Sequence, residues 1–127
     1  MVVCYTRRMD RQIKADGRFW LTLDGKNFLG RGRVELLQRI RETGSISKAA
    51  KSMRMSYKAA WDAVDAMNAA WGVVLVESGP SGSRLTADAE QLIAAYHKAE
   101  AQHTAFMEHL ADGLPGPASE RLADKPP

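Results

Sequence analysis

The sequence predicts a mainly α fold with a small β-hairpin wing, in which three short helices precede one long helix. Three observations carry that expectation. Apolar residues recur at three- and four-residue steps through residues 33–71 and again through 87–110. Glycines and serines sit between those stretches, where helices stop and start. The apolar run Val73–Glu77 is followed by Ser78-Gly79-Pro80-Ser81-Gly82-Ser83, a loop by composition, from which Arg84-Leu85 can return as a second strand.

In chain order, residues 1–17 lack apolar periodicity and read as a basic arm. Phe19–Leu23 is rich in β-favouring side chains, and Asp24-Gly25 suits a type I′ turn because both positions accept positive φ. Asn27–Leu29 is the expected return strand, and Gly30 and Gly32 read as breaks before a first helix over 33–43. That helix turns Val34, Leu36, Leu37 and Ile40 inward, and Gly44 ends it. Ser45 and Ser47 are both candidate N-caps for a second helix to about residue 53. Its Ala49 and Ala50 would let another helix approach closely. Arg54-Met55 reads as a tight turn, and Ser56 as the cap of a third helix to about residue 70. Thr86 caps the long helix, with Asp88 and Glu90 in its first turn where the dipole favours anions. Gly113 stops it, and residues 113–127, with four of the five prolines, read as a disordered tail. The expected organisation is thus an arm over 1–17, a compact domain over 18–85, the long helix over 86–112 and the tail.

Composition excludes several classes. With 127 residues, 45% hydrophobic and 26% charged, the chain is an ordinary globular domain able to bury a core without staples. A single cysteine, Cys4, rules out an intramolecular disulfide. No apolar run approaches the roughly 18 residues that cross a bilayer. Thr6-Arg7-Arg8-Met9 matches a twin-arginine signal only faintly, because charged residues follow it; a cytoplasmic location is expected.

The net charge of +3 is unevenly placed. Residues 31–60 hold eight cations against Glu35 and Glu42, whereas residues 85–127 carry a net −4. Such a block is either a solvated surface or a face for a polyanion. Helix, tight turn, helix and a glycine-tipped hairpin is the layout of a winged helix-turn-helix, whose third helix fits the major groove of duplex DNA while the second braces it.

The wording of the chain points the same way. The stretch LTLDGKNFLGRGRVELLQRIRETGSISKAAKSMRMSYKAAWDAVDAMN resembles the N-terminal domain of ModE-type, molybdate-responsive transcriptional regulators, with GSISKAAK and SYKAAWDAVDAMN its most specific pieces. VVLVESGPSGSRLTADAEQLIAAY is similar to the wing and following helix of the wider LysR-like group. The resemblance covers about residues 20–110 and implies a homodimeric DNA-binding domain joined through its long helices. Regulators of the ModE type carry two further oxyanion-binding β-barrel repeats, for which 127 residues leave no room. Molybdate binding is therefore not expected of this chain alone, and no cofactor is expected.

Individual residues take roles from this layout. Ser56 reads first as a cap that can also touch phosphate. Tyr57 and Lys58 occupy the first turn of the reading helix and are expected on DNA. Trp61, one turn on, either packs beneath the helix or lies against the backbone of the DNA. Ser45, Ser47, Lys48 and Lys51 are expected at phosphates, although either lysine could equally be solvated. Arg84 stands at the base of the wing, within reach of the minor groove or nearby phosphates. Arg31 and Arg33 start the first helix, a poor place for cations by its dipole, which hints at an anionic partner. Trp20 and Trp71 are expected in the core or as dimer anchors. Leu92, Tyr96, Ala99, His103, Phe106 and Leu110 form the apolar stripe expected at the dimer seam, although Leu92 and Tyr96 can also pack on the winged domain.

No catalytic constellation emerges, and the protein is not expected to be an enzyme. His97, His103 and His109 recur every six residues, far apart around a helix, and suit no shared metal. Glu100-Ala101-Gln102-His103 fits a carboxylate-iron motif, but no second motif accompanies it. Two readings remain: a homodimeric, sequence-specific transcriptional regulator on an inverted-repeat operator, or an interaction module that dimerises with and modulates a full-length regulator.

Overall fold

A computed structural model describes residues 12–117 of the chain. Most of the expected arm, with Cys4, and the tail from residue 118 lie outside the described residues. Residues 19–100 form one compact unit; residues 12–18 and 101–117 belong to a second.

The first unit opens with a two-stranded antiparallel hairpin, β1 (Leu21–Leu23) and β2 (Lys26–Leu29). Asp24 and Gly25 make the two-residue connection at φ 52° and 79°, the left-handed pair that a type I′ turn demands. Helix α1 (Arg31–Thr43) starts two residues before the position expected from sequence. Gly32 is accommodated inside its first turn, because four buried side chains (Val34, Leu36, Leu37 and Ile40) outweigh the roughly 1 kcal/mol that a helical glycine costs. The cations at its start find partners within the fold. Arg33 donates to the carbonyls of Phe28 at 2.9 Å and Asn27 at 3.3 Å, and Arg31 lies 3.7 Å from Glu100. The anionic partner hinted at by their position is therefore partly internal.

Gly44, at φ 72°, turns the chain out of α1. Helix α2 (Ile46–Ser52) is capped by Ser45, whose side chain accepts from the Lys48 amide at 3.2 Å; Ser47 lies inside the helix rather than at its cap. The tight turn expected at Arg54-Met55 is present. Arg54 takes φ 56°, and the Met55 amide donates to the Ala50 carbonyl at 3.0 Å. Helix α3 (Tyr57–Trp71) follows, with Ser56 accepting from the Ala59 amide at 3.0 Å.

The second hairpin, β3 (Val76–Gly79) and β4 (Gly82–Leu85), is shorter than its apolar run suggested. Asn68 on α3 accepts from the amides of Leu75 and Val76, and Thr86 donates its hydroxyl to the Val74 carbonyl. Val74 and Leu75 are thus tied to flanking helix ends instead of a strand partner, and Val73 and Val74 stay about half exposed. Helix α4 (Ala87–Asp112) has 26 residues, about 39 Å at 1.5 Å per residue.

The core draws on both hairpins and all four helices, and no polar or charged residue is buried among the described residues. Two sequence expectations are corrected here, Tyr96 at the seam and Trp20 and Trp71 in the core. Tyr96 is buried in its own unit, its ring 5.5 Å from that of Phe19, so it is unavailable to a dimer seam. Leu92, half-buried, packs against the same core. Trp20 and Trp71 are not core residues: Trp20 is 50% exposed, and Trp71 stacks on Phe28 while its indole donates to Asp88.

In the second unit, residues 12–17 run beside the later turns of α4, and a Cβ at Gly17 would meet the Met107 methyl at 2.7 Å. Together with residues 114–117 they border an open groove of about 690 Å³. Phe106, Leu110, Ile13 and Leu114 remain substantially exposed.

Burial, then the hydrogen bond that Tyr96 donates to Glu100, raises the phenol above its ordinary value. A raised tyrosine contributes stability that is present below the unfolded value near pH 10 and lost as pH rises through the folded one. Tyr96→Phe keeps the ring and removes the ionisation. Its melting temperature is expected to gain on that of the wild type between about pH 9 and pH 11. A difference that stays constant over this range would contradict the burial of the phenol.

Candidate nucleic-acid interface

The exposed start of α3 carries an aromatic pair and a charged pair on neighbouring strips. Tyr57 is 56% exposed and meets the half-buried Trp61 edge-on, with ring centroids 6.1 Å apart. Trp61 packs partly beneath the helix, yet its position beside Tyr57 leaves both on the first two turns. Lys58 reaches Asp62 at 2.9 Å, one turn later. That hydrogen bond, reinforced by the attraction of the carboxylate, holds the ammonium above its ordinary value. No acidic residue occupies the first turn of α3, so its positive dipole end stays open to an anion.

Helix α2 contributes a second edge. Ser47, Lys48 and Lys51 are exposed, as is Arg54 in the turn. Lys48, Lys51 and Arg54 make no ion pair with any other described residue. The other cations of the basic block are engaged: Arg39 on Glu35, Arg41 on Glu90 and Arg33 on the first hairpin. An apparent +6 block is therefore reduced to a few cations on α2 and the turn after it, with Lys58 nearby in sequence.

The wing is registered on the turn before α2. The Ser83 amide donates to the Gly44 carbonyl at 2.9 Å, and Gly82, at φ 118°, passes so close that a Cβ would stand 2.6 Å from that oxygen. Arg84 is exposed and pairs with Glu77 across the hairpin at 2.9 Å.

Residues 32–90 match the family model described as bacterial regulatory helix-turn-helix protein, lysR family. They are a lysR-type helix-turn-helix domain. Among curated relatives, the chain is 41% identical over 109 residues to the transcriptional regulator ModE of Yersinia pestis, covering 81% of this chain and 41% of that protein. It is 47% identical over 78 residues to the molybdenum-pterin-binding protein MopB of Rhodobacter capsulatus, covering 58% and 29%. The DNA-binding transcriptional dual regulator ModE of Escherichia coli K12 is 38% identical over 117 residues, covering 87% and 44%. The chain spans less than half the length of these relatives. The solved DNA-binding domain of CbnR, in complex with DNA, shares the fold with TM-score 0.54 and 20% identity, covering 76% of this chain and all of that one. Mainly helical architecture with a winged helix-turn-helix is therefore what the sequence predicted and what the lysR-type domain has.

Asp62 and the contact between Gly44 and Gly82 were not singled out from sequence. The four-residue step from Lys58 to Asp62 was a legible signal for the first. Nothing local announces the second, because its two glycines lie 38 positions apart.

Gly82→Ala places a methyl group against backbone and forces a φ that L-residues rarely adopt, at a cost of order 1–3 kcal/mol. A lower melting temperature and loss of amide protection at Ser83 are expected, read by calorimetry and hydrogen exchange. A wild-type melting temperature would mean that the wing is not seated on Gly44.

Proposed function

We propose that this chain is a sequence-specific transcriptional regulator that binds duplex DNA as a homodimer, and that it is not an enzyme. The carrying observation is the exposed first turn of α3, with Tyr57 and Lys58 at an open helix N-terminus and no acid within that turn. A helix so furnished suits the major groove, where its first two turns meet base edges. Ser45, Ser47, Lys48 and Lys51 are assigned to phosphates along one side, and Arg84 to the wing side. Ser56 and Trp61 support the reading helix from its cap and underside. The relatives named as transcriptional regulators favour this role, and a DNA-reading role belongs in the cytoplasm. Among the described residues no helix is long and apolar enough to cross a membrane.

The dimer is proposed through the later turns of α4. Ala99, His103, Phe106 and Leu110 continue its apolar stripe, and Phe106 and Leu110 are 58% and 44% exposed. Water contact on such a stripe is unfavourable, and the same helix of a second copy would cover it. Two-fold symmetry then calls for an inverted-repeat operator with half-sites about one helical turn apart, roughly 34 Å, or a multiple of it. Molybdate is expected to act elsewhere than on these residues, because most cations of residues 31–60 already have intrachain partners.

Affinity for duplex DNA should fall steeply as salt rises, since each neutralised phosphate releases counterions. Lys58→Ala should weaken binding by about 1–3 kcal/mol without lowering the melting temperature. Gel shifts across a salt series check both. A purified chain that shifts no duplex would favour the interaction module instead.

Light scattering tests the seam. The wild type is expected to be dimeric and Phe106→Asp monomeric, because a carboxylate buried without a partner is strongly disfavoured. A monomeric wild type, or a variant that stays fully dimeric, would refute the α4 interface.

A further inference from the structure

We infer that Asp62 is a specificity-determining residue, and that with Lys58 it reads a keto–amino base pair, foremost guanine–cytosine, in the major groove. The inference rests on the proposal above that α3 enters that groove, and goes beyond it by naming the base pair and a reader of opposite charge.

The pair is poorly explained as a helix staple. An i,i+4 ion pair gains most when the acid precedes the base, and here the cation comes first. The same order puts Lys58 at the positive end of the helix dipole, in a first turn that lacks any acid. Both side chains are largely solvated, at 85% and 63% exposed, so little stability depends on them. An acid beside a phosphate-binding surface is also a net cost for binding any DNA. These costs are recovered if the carboxylate meets a donor on the DNA.

The major groove supplies one. Guanine offers O6 and N7 as acceptors, and its cytosine offers the N4 amino group as donor. O6 and N4 are themselves joined by a hydrogen bond of about 2.9 Å in the base pair. Lys58 and Asp62 present a donor and an acceptor 2.9 Å apart on one strip of α3, the complementary arrangement. Lys58 donates to O6 and N7, and Asp62 accepts from N4. Thymine–adenine offers the same acceptor–donor order through O4 and N6, but a methyl group stands where guanine has N7, so guanine is preferred. The reversed pairs set amino against ammonium and carbonyl against carboxylate and are rejected. Asp62 also holds the lysine in place, which limits its use as a roving phosphate contact.

The test uses the full chain and a library of randomised duplexes, with wild type, Asp62→Ala and Asp62→Asn selected in parallel. Wild type should enrich a motif with one position per half-site restricted to guanine–cytosine or thymine–adenine, discriminating by about 5- to 150-fold. Asp62→Ala should lose that restriction while binding a mixed-sequence duplex at least as tightly, because a negative charge has left the interface. A merely structural role would weaken both. Asp62→Asn, which adds an amide donor, should move the preference towards adenine. Replacing the enriched guanine by 7-deazaguanine should weaken the wild type and leave Lys58→Ala unaffected. An Asp62→Ala motif identical to that of the wild type would overturn the inference and leave DNA reading by α3 intact. A wild type that enriches no motif would overturn both.

Discussion

Helices α2 and α3 are in contact, and the buried residues they give the core include Ala49, Ala50 and Ala60, whose side chains end at Cβ and let short helices approach closely. Two helices of 7 and 15 residues have little apolar area each, so they must meet closely to be held. Larger side chains would push them apart and turn the exposed face of α3 away from its neighbours on α2. The turn between them obeys the same constraint. Arg54 takes a left-handed conformation, and Met55 hydrogen-bonds back to Ala50, which keeps the connection between the two helices short.

Around that contact, hydrogen bonds at helix ends do the positioning. Asn68, near the end of α3, takes two amides from the segment that leads into β3, so the wing inherits its origin from α3. Gly44, at the end of α1, takes the Ser83 amide, so the far side of the wing is set by the turn before α2. The hairpin is thus anchored at both ends to the elements that surround the candidate reading surface, and its two strands need no third partner.

Electrostatics then separates structural cations from available ones. Arg33, Arg39 and Arg41 bind carbonyls or carboxylates of their own unit, where they join α1 to the first hairpin, to α2 and to α4. Lys48, Lys51 and Arg54 carry no such commitment among the described residues. Lys58 is intermediate, exposed but bound to an exposed acid. Charge counted along the chain treats all of these alike, although only the second group lacks a carbonyl or carboxylate partner among the described residues.

The local elements were legible in the amino-acid order because their causes are local. Positive φ at Asp24-Gly25, serine caps at Ser45 and Ser56, the glycine stop at Gly44, and the apolar faces of four helices depend on residues within a turn or two. The chain by itself therefore determined the helix-turn-helix, the wing and the long final helix. Tertiary structure decided the rest, because each remaining choice depends on a distant partner. Val73 and Val74 are apolar enough for a strand, yet Asn68 and Thr86 claim the neighbouring backbone groups. Tyr96 shares the stripe of α4 with Phe106, yet only Tyr96 meets Phe19 and the core, while Phe106 stays in water. A periodic pattern states that a face is apolar; which neighbour covers it is settled only when elements far apart in the chain come together.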